Sequence, residues 1–176
     1  MAGTSLHYFH KLEVEALALI AEGNLPGLAQ KVEEAKQQRK ELIEMDKEIE
    51  QKGDEVEQAL KELHQRMKEL EQVAKEFEQM RKDIKQIGKD IGEMGKEDRK
   101  EKRKEIEQKG KEIEQKFSEM EQKKKEIGPI YLGMDRKSIE VKEMRKEFLQ
   151  KARETLQKYR EIQQECNEER QRRKVA

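Results

Sequence analysis

His7 and His10 stand three residues apart, a spacing that puts two imidazoles on one side of a helical turn, where they could share a metal ion. A working site needs further ligands, and no Cys or carboxylate cluster is fixed beside this pair, so it reads as structural or solvated. His64 sits inside a charged heptad and reads as surface. The single cysteine, Cys166, falls on an apolar helix stripe beside Ile162. A buried, inert thiol is expected there, because a nucleophilic thiolate needs an exposed electropositive setting. No Ser–His–Asp spacing, glycine-rich phosphate loop or pocketed carboxylate pair is present, so neither catalysis nor a cofactor or metal is expected. Two basic clusters remain: Arg170, Arg172, Arg173 and Lys174 near the end, and Arg99–Lys104. Both read as solvated helix surface, the first complementing a helix C-terminal dipole, with phosphate binding or localisation as its other use. Ile130, Tyr131 and Leu132, in the stretch GPIYLGMD, are the candidate partner-binding residues, because exposed apolar residues in a polar chain mark interfaces. The alternative is that they cover the end of a bundle.

The elements that carry these residues follow from one pattern. Leu28, Ala35, Leu42, Ile49, Val56, Leu63, Leu70, Phe77, Ile84 and Ile91 recur every seven residues without a break. A seven-residue apolar period is close to two helical turns and needs a partner helix to cover the seam. A second seam position is expected at Leu60 and Met67, then at Val73, Met80, Ile87 and Met94, so the seam is expected to rotate near Leu70. Glu48–Lys52, Glu57–Lys61 and Glu62–Arg66 are acid-to-base pairs at i, i+4 that support the helix weakly.

Four helices are expected, at about 5–21, 25–92, 98–127 and 136–172. The first starts at a Thr4 or Ser5 cap, carries Phe9, Leu12, Ala16 and Ile20 on one face, and stops at Gly23. The second turns near residues 92–98, where Gly88, Gly92 and Gly95 precede the wholly polar KEDRKEKRK. The third seam reads Ile106, Gly110, Ile113, Phe117, Met120, Lys124, Ile127. Residues 128–135 are expected as a loop, because Pro129 lacks an N–H and glycines flank it. The last helix aligns Val141, Phe148, Thr155 and Ile162 with Ala152, Tyr159 and Cys166, and Leu149 and Leu156 add a second apolar edge. KEIEQKGDEVEQ at 47–58 recurs as KEIEQKGKEIEQ at 104–115, which reads as heptad bias, with duplication as the other reading.

These lengths predict a single all-α domain over 1–176: an elongated antiparallel coiled-coil hairpin, with the short first helix forming a three-helix bundle at its base. A shorter bundle turning at GPIYLG, or a seam left open for a second chain, are the rival arrangements. Thin spots at Lys52–Gly53 and Lys124 weigh against one uniform rod. With equal numbers of acidic and basic residues, the chain has no overall attraction to nucleic acid. Its longest apolar run, Ala16–Ala21, is too short for membrane insertion, and no basic region precedes it as in a secretory signal. One cysteine cannot form an internal disulfide, so a cytoplasmic location is expected.

Two family resemblances appear at opposite ends. Residues 9–46, including ALALIAEGNLPGLAQKVEEAKQQRKELIEMD, resemble the first helical hairpin of FlgN/FliT-type flagellar export chaperones. The apolar first helix, the E-G-N turn and an Arg39–Leu42–Ile43 stripe carry it, and it implies a small helical protein that holds unassembled filament subunits. Residues 148–173 resemble the third helix of a syntaxin Habc bundle, which packs against a SNARE helix. Phe148, Tyr159–Arg160–Glu161, Cys166 and Gln171–Arg172 carry that one, and no SNARE motif or membrane anchor follows. Each covers less than a quarter of the chain, and they imply different functions. The function expected from the residues is non-catalytic: a protein–protein interaction scaffold or spacer acting on a helical protein partner. A helical chaperone or adaptor for an amphipathic client helix, and a self-assembling structural coiled coil, are the alternatives.

Overall fold

A computed structural model describes residues 2–176, which form three helices and no strand: α1 Ala2–Glu22, α2 Pro26–Ile91 and α3 Lys96–Val175. The chain is all-α. The long helices α2 and α3 pack on each other as a hairpin, and α1 contacts both. α1 is already helical at Ala2, so it starts before the expected Thr4 or Ser5 boundary. Pro26 takes the first helical position of α2, where its missing N–H costs nothing. α2 ends at Ile91, and three i→i−3 bonds tighten the turn from Gly92 to Met94. The turn falls within the stretch where the glycines predicted it.

The return path corrects the sequence reading. The helices expected at 98–127 and 136–172 are one helix of 80 residues, and 128–135 is helical throughout, with Pro129 inside it. Proline in a helix interior loses one hydrogen bond and clashes with the preceding turn, a cost of about 3 kcal/mol. Against that cost stands the phase of the flanking apolar residues. Ile127, Met134 and Val141 are spaced by seven, as are Ile113, Met120 and Ile127 before them. A loop inserted at 128–135 would have to preserve that phase by coincidence, whereas a continuous helix preserves it automatically.

The chain divides into two compact units: residues up to Gly53 with Ile139–Ala176, and Asp54–Ser138. Unit 1 is a three-helix bundle. Phe9, Leu12, Ala16 and Leu19 of α1, Leu28, Val32 and Ala35 of α2, and Tyr159, Ile162 and Cys166 of α3 form one buried cluster. Val32 is fully buried, although the seam register alone passes over it, because a third helix widens the face that α2 must cover.

Unit 2 is a two-helix layer, so its seam is less enclosed. Leu63 is buried, while Val56, Leu70, Phe77, Ile84 and Ile91 are half-buried. Val73 and Ile87 complete the α2 side, with Ala59 and Arg66 earlier on the same line. This line keeps one phase, so the predicted rotation near Leu70 does not occur. Leu60 and Met67 lie one residue off it and are 45% and 55% exposed. On α3 the covered line is Ile106, Ile113, Met120, Ile127 and Met134. Phe117 and Lys124, expected on the seam, lie at its edge and are exposed, with the Phe117 ring tilted against Phe77 at 6.3 Å.

Candidate functional site

Heptad phase places an acid beside the α2 seam and a lysine beside the α3 seam. In unit 1 these pair as Glu34–Lys158 and Glu41–Lys151. In unit 2 they pair as Glu55–Lys137, Glu69–Lys123, Glu76–Lys116 and Asp83–Lys109. The two residue numbers add to 192 in every pair, so each unit has the same antiparallel register. Lys52–Glu140 in unit 1 and Arg66–Glu126 in unit 2 keep that sum with the charges exchanged.

Five of these six α2 acids, Glu34, Glu41, Glu69, Glu76 and Asp83, also receive a hydrogen bond from a glutamine four residues earlier on their own helix. Examples are Gln30 to Glu34, Gln37 to Glu41, Gln65 to Glu69 and Gln72 to Glu76. The Lys158 and Lys151 ammonium groups hold the Glu34 and Glu41 carboxyls below their ordinary range. Lys116 does the same for Glu76, and Gln65, with Lys123, for Glu69. The sequence carries this signal as glutamine and acid four apart in most heptads of α2, beside the i, i+4 acid–base pairs. Of the latter, Glu57–Lys61 and Glu62–Arg66 form, while Lys52 reaches across to Glu140.

The repeat at 47–70 and 104–127 acquires a geometric meaning within unit 2. The offset that carries Leu63 onto Met120 carries Arg66 onto Lys123 and Glu69 onto Glu126. Arg66–Glu126 and Lys123–Glu69 are therefore the same cross-helix pair seen from either arm.

The most buried titratable cluster lies in unit 1. Glu13 of α1 is 4% exposed. Arg39 donates to both its oxygens, from Nε at 2.8 Å and Nη2 at 3.3 Å. The Tyr159 hydroxyl donates to Glu13 Oε1 at 2.5 Å, and the Tyr159 ring stacks on Phe9 at 4.1 Å. Burial, reinforced by the hydrogen bond to Glu13, pushes the Tyr159 phenol well above its ordinary value, so it stays protonated. His10 Nδ1 is 3.9 Å from Glu13. Thr155, also buried, donates to the Lys151 carbonyl at 2.8 Å, and Tyr8 donates to Gln163 at 2.7 Å. The carboxylate has its donors and the phenol has its acceptor, so the cluster latches α1 to α2 and α3 and leaves no group free to take a proton from a substrate. Sequence reasoning missed it, because Glu13, Arg39 and Tyr159 sit on three helices.

The C-terminal basic cluster is exposed, as expected, and two of its arginines also reach α1. Arg170 reaches Glu15, and Arg173 reaches Glu22 at 2.5 Å and Glu169 at 3.1 Å. Arg173 Nη2 also donates to the Leu19 carbonyl at 3.2 Å, so it caps the end of α1. Gly23 is not a left-handed stop, since no glycine among the described residues has positive φ. A Cβ at Gly23 would lie 2.9 Å from Arg173 Nη2.

The remaining sequence candidates disperse. Cys166 is buried, and burial raises its thiol pKa, which disfavours the reactive thiolate. His7, His10 and His64 are exposed, and no group of three His, Cys, Asp or Glu converges on a metal position among the described residues. Ile130, Tyr131 and Leu132 lie on one helix, which spreads consecutive residues by about 100° each, so they do not form one patch. Ile130 is half-buried, while Tyr131 and Leu132 are 53% and 59% exposed. No helix is long and apolar enough to cross a membrane. A shallow groove in unit 2, lined by His64, Met67, Leu70, Ala74, Met120 and Lys124, is open to solvent. Comparison with protein-family models, curated proteins and solved structures finds no match to this chain.

Proposed function

We propose that this chain is a non-catalytic protein–protein interaction scaffold that presents a helical surface to another helical protein in the cytosol. One observation carries the reading. The α2 seam is covered by α3 of the same chain, with ion pairs in a single register, while apolar residues such as Leu60, Met67, Phe117 and Tyr131 stay exposed on unit 2. A chain that closes its own seam and still exposes large apolar side chains has surface left for a partner. The saturated Glu13–Arg39–Tyr159 cluster supports a structural and not a chemical use of its buried charge.

The test is sedimentation velocity over roughly a hundredfold concentration range, wide enough to expose mass action. A single species at monomer mass supports the scaffold. Association that strengthens with concentration and is lost together with helicity in Leu63→Asp would instead make the seam intermolecular, and the chain a self-assembling structural element.

A further inference from the structure

α1 shows how the α2–α3 hairpin accepts a third helix in unit 1. On α2 it bonds Arg39 and shares a buried cluster with Val32, seven residues earlier. On α3 it meets Tyr159, Cys166 and Arg173, again spaced by seven. This flank lies across the seam from the Glu34–Lys158 line.

The same heptad phases recur in unit 2. Stepping by sevens from Val32 and Arg39 reaches Leu60, Met67 and Ala74, and stepping back from Tyr159 reaches Tyr131, Lys124 and Phe117. Here no helix covers them. Leu60 is 45% exposed, Met67 55%, and Phe117 and Tyr131 53% each. The groove between Met67, Ala74, Met120 and Lys124 follows this flank. From Leu60 to Ala74 the face is about 21 Å long, the length of about four helical turns.

The edges of the two flanks differ in sign. In unit 1, Arg39, Arg170 and Arg173 meet the α1 acids Glu13, Glu15 and Glu22. The edge positions that carry Lys36 on α2 and Arg170 on α3 become Glu57, His64, Glu71 and Glu78, and Glu114, Glu121, Gly128 and Asp135, in unit 2, so the edges there are mainly acidic. Lys61, Lys75, Arg81 and Lys124 contact four of these acids from their own helices, at 3.6, 3.5, 3.9 and 3.7 Å. Such exposed pairs are weak and can yield to a partner. An acidic helix such as α1 is therefore disfavoured, and a second copy docking through the same face would set acid against acid.

We propose that this face of unit 2 binds a basic amphipathic helix of about four turns from another protein, seating its apolar stripe on Leu60, Met67, Phe117 and Tyr131. The proposal rests on the scaffold reading and deepens it.

The test uses the full chain and a fluorescein-labelled synthetic helix of about 15 residues, with a leucine stripe and lysine flanks, read by anisotropy. A twin peptide with glutamate flanks is the control. The lysine peptide is expected to bind, to weaken with added salt, and to bind at least about tenfold more tightly than its twin. Met67→Glu with Phe117→Glu should abolish binding while circular dichroism is unchanged. Glu71→Lys with Glu121→Lys, at positions where no apolar packing is lost, should reverse the preference between the peptides. Equal binding of both peptides, or no binding of either, overturns the assignment, and the sedimentation result then stands alone for the scaffold. Binding that survives Met67→Glu/Phe117→Glu and disappears in Val14→Glu/Leu17→Glu keeps the scaffold and removes this site. A wild-type dimer dissolved by Met67→Glu/Phe117→Glu makes a second copy the occupant and also overturns the proposal.

Discussion

Tyr159 of α3 donates a 2.5 Å hydrogen bond to Glu13 of α1, and the same carboxylate is gripped by Arg39 of α2. A single buried acid thus ties all three helices of unit 1. Removing Arg39 leaves that acid buried without its cation, a change that costs about 3–5 kcal/mol where a buried pair is broken. Arg39→Ala should lower the urea midpoint far more than Glu13→Gln, which keeps a hydrogen-bonding group without a buried charge. Tyr159→Phe should fall between them. Equal midpoints for Arg39→Ala and the parent would show that Glu13 is solvated in solution.

The continuous α3 predicts an unusual gain. Pro129→Ala restores a helix N–H and removes a clash, so it should raise helicity and the melting temperature, by up to about 3 kcal/mol of stability. If 128–135 were a loop, the same substitution would leave helicity unchanged.

Register can be checked side chain by side chain. Leu63→Asp places a charge at a buried position and should destabilise sharply, whereas Lys61→Asp, at a position 70% exposed, should do little. Within the apolar set, Ile87→Ala should cost at least about 2 kcal/mol and Val73→Ala somewhat less, and Leu60→Ala and Met67→Ala distinctly less than either, because only the first two are buried. Equal losses in both groups would restore the rotated seam.

The pH response is set by the cross-helix ion-pair line together with Lys31–Glu165 and Lys102–Glu105. Glu34, Glu41, Glu69, Glu76 and Glu105 have pKa values lowered from 4.5, so their stabilisation is present above that value and is lost as pH falls through the lower folded values. Lys31, Lys102 and Lys116 are raised from 10.5, so theirs is present below 10.5 and is lost as pH rises through the higher folded values. Tyr159, raised from 10.0, adds a further loss on the alkaline side. Thermal melts should therefore show a plateau between about pH 5 and pH 10, falling on both sides. Added salt should flatten the acid limb, since these pairs are solvent-exposed.

The ten-membered heptad from Leu28 to Ile91 determined by itself that a long α2 exists and must be covered. A period of seven can be read from side-chain types alone, and so could the glycine turn and the apolar α1. Those features are local, or repeat at a fixed spacing. Three others depended on what lies across space. Pro129 argues locally for a break, and only the phase of Ile127, Met134 and Val141 against an unbroken partner makes the helix run through it. Leu60 and Met67 are as apolar as Val73, and only the angle at which α3 approaches leaves them outside. Tyr159 reads as a seam residue, but nothing local ties Glu13 and Arg39 to it until three helices bring them together. The heptad names the seam, but the direction from which neighbours arrive decides which flanking residues are covered, because a helix offers several nearly equivalent faces and packing selects among them.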